Sequence, residues 1–157
     1  VREIKGEDTE SAVEPDVQVS VSSYIPDEYI PDADQKMQFY QRLGDIKKTV
    51  EVLAIEEELT DRFGPLPEPT SALLDTLQVK ILARQLRLSQ IQIGQVMTMT
   101  LSPEKALTRK EIERMVTQSP LPLEFALGEP PKIEVGLTGR GPQSWLKNAK
   151  NVLQCLV

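Results

Sequence analysis

The chain has 157 residues, 24 acidic and 18 basic side chains, a net charge of −6 and no histidine, which excludes histidine-based acid–base catalysis and cysteine–histidine zinc sites. Its one cysteine, Cys155, cannot close an intrachain disulfide, which predicts a reducing, cytoplasmic setting, and the acidic total argues against a surface built for nucleic acid. No apolar run approaches the ~20 residues that cross a bilayer, acidic and basic residues break any signal-like start, and the first residue is Val1, which predicts a piece of a longer, membrane-free protein.

Residues 1–16 are polar, acidic and aperiodic, closed by Pro15, and predict a linker. Val17, Val19 and Val21 alternate with polar residues and predict a half-buried strand. The segment from Tyr24 to Asp32 holds Pro26 and Pro31, which forbid a continuing helix and predict an extended strap laid across the core. Asp32 or Asp34 can cap a helix with Met37, Tyr40 and Leu43 inward and Gly44 at its stop. A second helix, Thr49 to Phe63, has Thr49 as its cap, a buried stripe of Val52, Ile55, Leu59 and Phe63, and Gly64-Pro65 as its terminator. A third runs from Thr70 or Ser71 to Leu88 with Leu73, Leu74, Leu77, Ile81 and Leu88 as core, and predicts the spine of the domain.

The period then changes. Alternation around Ile91 and Ile93, and again through Val96, Met97, Met99 and Leu101, predicts two strands joined at Gly94-Gln95 and ended by Pro103. Thr108 caps a short helix with Ile112, Met115 and Val116. Alternation in 121–127 predicts an edge strand, since Pro122 cannot donate to a ladder, and Ile133, Val135 and Leu137 predict another. Ser144 caps a closing helix with Trp145, Leu146, Ala149, Val152, Leu153 and Leu156; Met97, Met99 and Cys155 read as core fillers. A helical first half and a strand-rich second half closed by helices predict one α+β domain over residues 17–157.

Three patterns invite chemistry. Gly136, Gly139 and Gly141 precede a helix, but no Gly-Lys-Ser/Thr follows, so the reading is a turn and not a phosphate cradle. Asp61-Arg62-Phe63-Gly64 lacks the glycine-rich loop and strand lysine of a kinase and reads as a helix end. Ala54, Glu57, Glu58 and Asp61 share a helix face opposite the apolar stripe, with Arg62 set to pair with Glu58. That face is either a solvated surface or an acidic strip that docks arginines. Lys80, Arg84 and Arg87 form a basic side of the third helix, with Arg109, Lys110 and Arg114 as a second group; both solvate a helix or touch phosphates, and neither is interleaved with aromatics for base stacking.

Two uncommon segments go beyond generic pattern: Ile25-Pro26-Asp27-Glu28-Tyr29-Ile30-Pro31-Asp32 and, past a helix with Tyr40, Glu58-Leu59-Thr60-Asp61-Arg62-Phe63-Gly64-Pro65-Leu66-Pro67 before a leucine-rich helix. Over residues 13 to 93 this order resembles the C-terminal domain of bacterial transcription-repair coupling factors, and residues 1–8 resemble the tail of the translocase motor that precedes it. The resemblance implies a parent that is an ATP- and Mg²⁺-dependent DNA translocase acting on stalled RNA polymerase and recruiting UvrA. It implies no cofactor, metal or catalytic residue here, and DNA contact through the motor. It further implies an autoinhibitory regulatory domain that packs on the N-terminal UvrB-like module and masks UvrA binding. On that reading Glu57, Glu58, Asp61 and Arg62 are the interface residues. The alternative is a DNA-contacting accessory domain that uses Lys80, Arg84 and Arg87.

Overall fold

The computed structural model describes residues 14–102, 108–126, 128 and 130–157; the linker and motor-tail reading of residues 1–13, the stop at Pro103 and the end of the strand at Leu127 lie outside them. The elements are β1 (Asp16–Val19), α1 (Ala33–Gly44), α2 (Thr49–Phe63), α3 (Glu68–Gln85), β2 (Leu88–Ile93), β3 (Val96–Leu101), α4 (Arg109–Gln118), β4 (Leu123–Ala126), β5 (Lys132–Gly136) and α5 (Gly141–Leu156). The strands form one sheet in the order β1-β2-β3-β5-β4. β1 is parallel to β2, and every other pair is antiparallel. The architecture is α+β, as the segregation of periods requires.

Strand alternation makes the sheet one-sided. Ile91, Met97, Met99, Ile133 and Val135 face inward and are buried with Val79, Leu82 and Ala83 of α3, Met115 of α4, and Leu146, Ala149, Val152, Leu153 and Leu156 of α5. The outer face presents a cross-strand row set by register, Gln18 beside Gln92, then Thr98, Glu134 and Glu124.

A second core joins α1, α2 and the other side of α3: Phe39, Leu43, Ile46, Val52, Ile55, Leu59, Leu74 and Ile81 close over Ile25 and Ile30. The strap from Tyr24 to Asp32 does not run extended throughout: the N–H groups of Tyr29 and Ile30 both reach the Pro26 carbonyl in a turn, and the segment is anchored by its backbone and by Tyr29, while the Tyr24 side chain is about half exposed. Ile25 N–H donates to the Tyr40 hydroxyl at 2.7 Å, and Thr70 Oγ1 donates to the Tyr24 carbonyl at 3.1 Å. Tyr29 Oη donates to the carbonyls of Gly64 and Leu59 at 2.7 and 3.1 Å. α3 is therefore apolar on two sides, as a helix buried between two layers must be.

Several expectations are corrected. In α1 the inward pair is Phe39 and Leu43, an i,i+4 pair; Met37 is 58% exposed and Tyr40 lies at the rim. α2 is capped by Lys48, with Thr49 already helical, and the Glu51 carboxylate accepts the N–H groups of Lys47 and Lys48 instead of a cap hydroxyl doing so. α3 starts at Glu68, because Pro69 in the first turn has no N–H to leave unpaired. It stops at Gln85 because Arg87 takes a left-handed φ of 61°, which places Leu88 on β2. Leu73 and Leu77 are only half-buried, Val116 is exposed, and Cys155 is exposed where a core filler was expected. α5 begins at Gly141 with Pro142 in its first turn, three residues before Ser144.

Candidate functional site

α2 has two unlike long faces. Val52, Ile55 and Leu59 are buried, whereas Val50 and Leu53 are 65% and 51% exposed. Val50, Leu53, Ala54, Glu57 and Asp61 recur at i, i+3, i+4, i+7 and i+11 and line one shallow surface depression. Among the described residues neither Glu57 nor Asp61 has a cation within ion-pair distance, so both carboxylates are left to solvent.

Glu58 sits beside this stripe in a different environment. Arg42 of α1 donates to it through two nitrogens at 2.7 and 3.0 Å, and Arg62 donates at 3.1 Å. The Arg42 hydrogen bonds hold its carboxyl below the usual value of 4.5, Arg62 adds to this, and Glu58 in turn raises Arg42. Both guanidiniums lie over aromatic rings, Arg42 at 5.1 Å from the Phe39 centroid and Arg62 at 5.2 Å from that of Phe63, while Phe63 also packs on Tyr29 at 5.6 Å. The motif from Glu58 to Gly64 thus locks α1 to α2 and to the strap. The four interface candidates fall into two groups: Glu57 and Asp61 are unengaged, whereas Glu58 accepts from both Arg42 and Arg62, so that Arg62 is engaged through Glu58.

The basic candidates are also partly engaged. Arg84 Nη2 donates to both oxygens of Glu14 at 2.9 and 3.1 Å, and Lys80 Nζ lies 3.6 Å from the same carboxylate, whose pKa is lowered chiefly by the Arg84 hydrogen bond. Arg87 is exposed just beyond the helix end. Of the second group, Arg109 pairs with Glu113, and Arg114 donates to Gln118 and to the Leu156 carbonyl.

The glycine cluster serves α5. Gly139 has φ +97°, and a Cβ there would lie 2.7 Å from that of Ser144. Its carbonyl accepts from Trp145 Nε1 at 3.2 Å, and Asn148 Nδ2 donates to the Thr138 carbonyl. The turn is a close approach of backbone to helix that only glycine accommodates. Among the described residues no three His, Cys, Asp or Glu side chains gather as metal ligands, and no helix is long and apolar enough to cross a membrane.

Pattern reading missed two features of these surfaces. The exposed Val50 and Leu53 could have been found from their spacing to Glu57. Arg42 could not, because its bond to Glu58 spans 16 residues and depends on how two helices pack.

The fold and this surface define an α+β domain with a one-sided mixed sheet, a two-faced central helix and an open, acidic and partly apolar helix face. A family model described as the TRCF domain matches residues 19–112, and the chain belongs to that family, the C-terminal domain of transcription-repair coupling factors. It is 31% identical over 120 residues to the transcription-repair-coupling factor of Myxococcus xanthus, covering 76% of this chain and 10% of that protein. It is 27% identical to that of Bacillus subtilis, covering 99% of this chain and 14% of that one. The chain therefore spans a small part of the relatives it matches. A crystal structure of the C-terminal domain of a transcription-repair coupling factor superposes with a TM-score of 0.76 at 18% identity, covering 91% of each chain, and shares the fold.

Proposed function

We propose that this chain is a non-catalytic, autoinhibitory interaction domain of a cytoplasmic ATP-dependent DNA translocase that couples transcription to nucleotide excision repair. It packs on the parent's UvrB-like N-terminal module and masks the surface that receives UvrA. RNA polymerase, DNA, ATP and Mg²⁺ engage other parts of the parent. The observation that carries the reading is the α2 face, where Glu57 and Asp61 lack a cation among the described residues and Glu58 stands beside them. Carboxylates held on a rigid helix accept charge-assisted hydrogen bonds from arginines at little ordering cost. Arg62 contributes by fixing Glu58.

Truncating one side of a desolvated pair costs ~2–5 kcal/mol, while a clamp that must open needs a net coupling of only ~1–3 kcal/mol. The accessory-domain reading is less well supported, since Glu14 occupies two of its three cations. The test is calorimetry of this chain with the UvrB-like module at low and moderate salt. Salt-sensitive binding that is lost in Glu57→Lys/Asp61→Lys, with an unchanged melting curve, supports the clamp. Absence of binding at high concentration, together with affinity for duplex DNA that falls steeply with salt, replaces it with the accessory-domain reading.

A further inference from the structure

Resting on that reading, we infer that Val50 and Leu53 are the apolar anchor of the docking face, and that the partner surface it fits carries an apolar side chain beside its cationic groups. A surface helix of a lone domain needs one apolar stripe, and α2 already buries Val52, Ile55 and Leu59 against the second core. Val50 and Leu53 form a second stripe pointing away from it, at 65% and 51% exposure. Isolated exposed apolar residues are ordinary. These two share one depression with Ala54, Glu57 and Asp61, so apolar and charged groups are continuous.

The stripe is also ordered along the axis. Its apolar members occupy the first turns of α2, and its carboxylates lie one and two turns further on, about 16 Å from end to end at ~1.5 Å per residue. The nearby guanidiniums, Arg42 and Arg62, are committed to Glu58, so charge complementarity for Glu57 and Asp61 must come from the partner. Interfaces take most of their affinity from a few desolvated anchors, while charges on the rim govern orientation and encounter. This division assigns affinity to Val50 and Leu53, and direction and salt dependence to Glu57 and Asp61.

The experiment titrates this chain into the UvrB-like module by calorimetry across a salt series, using Val50→Ser, Leu53→Ser and Glu57→Gln/Asp61→Asn, with sedimentation of each chain alone. Both apolar positions are exposed, so the variants should melt with the parent chain, and a melting curve checks this. The expected result is that each serine variant binds about tenfold or more weakly with an unchanged slope of log affinity against log salt, while the amide variant mainly flattens that slope. Serine variants that bind as the parent chain does, while the amide variant loses binding, overturn the anchor and leave the clamp standing. Parent-chain binding that is absent throughout removes both. Self-association of the parent chain that Leu53→Ser abolishes reassigns the stripe to a second copy and overturns the inference.

Discussion

Asp75 gives the sharpest test of how this fold is held together. It is 5% exposed in the middle of α3, where it accepts from Lys147 Nζ at 2.8 Å and from Lys150 Nζ at 2.9 Å, both on α5. The two lysines are not equivalent, since their side chains are 54% and 21% exposed. A charged hydrogen bond in a covered site is worth ~1.5–3 kcal/mol, and an exposed ion pair under ~1 kcal/mol. Removing the carboxylate in Asp75→Ala frees Lys147 to turn into water but leaves Lys150 covered and short of an acceptor. The net cost should be ~2–3 kcal/mol, below the ~3–5 kcal/mol of a fully buried pair. For a domain of this size that lowers Tm by about 4–12 °C, at ~2–4 °C per kcal/mol. Urea unfolding of Asp75→Ala, Lys147→Ala, Lys150→Ala and the two double mutants should give a larger coupling for Asp75–Lys150 than for Asp75–Lys147. The reasoning is refuted if Asp75→Ala costs under ~0.5 kcal/mol, or if Lys147 couples as strongly as Lys150.

Three further outcomes follow from the geometry. Gly139→Ala should cost at least ~1–3 kcal/mol in chemical denaturation, because the backbone has φ +97° and the added carbon meets Ser144. Tyr29→Phe should cost ~1 kcal/mol by removing the hydroxyl that donates to the Gly64 and Leu59 carbonyls, seen as a Tm lower by ~2–4 °C. Since the folded-state pKa of Glu58 lies below 4.5, its contribution is complete above that value and is lost as pH falls through the folded one. Being one-third exposed, it should make Glu58→Gln less stable than the parent chain by no more than ~1 kcal/mol at pH ~7, a difference that melting curves should show vanishing in acid.

What the sequence made legible was whatever local periodicity controls. The α2 stripe is readable because Val52, Ile55 and Leu59 recur at the helical period and face one core. The inner strand faces are readable because Ile91, Met97, Met99, Ile133 and Val135 alternate. The phase of α1 was legible only in part: Leu43 is buried as its spacing predicted, but Met37 and Tyr40 fit a helical stripe as well as Phe39 does, and it is the packing of Phe39 in the second core, with the Tyr40 hydroxyl taken up by the strap, that turns Met37 outward. The end of α3 was hidden because Arg87 adopts a left-handed backbone where no glycine or proline announces a stop. Burial of Asp75 was equally hidden, because its partners lie 72 and 75 residues away. On the open face of α2, sequence spacing placed Glu57 and Asp61 together, but only the packing of α1 reveals that Glu58 is held by Arg42.

α3 lies in both cores, sending Val79, Leu82 and Ala83 to the sheet side and Leu74 and Ile81 to the α1–α2 side. Neither core is complete without it, which couples the melting of one to that of the other. Hydrogen exchange should find α2 and the central strands opening together at the global unfolding free energy, as one cooperative unit. A load applied at the α2 face is then borne by the whole domain, and the helix that joins the halves makes the module a rigid lever instead of a hinge.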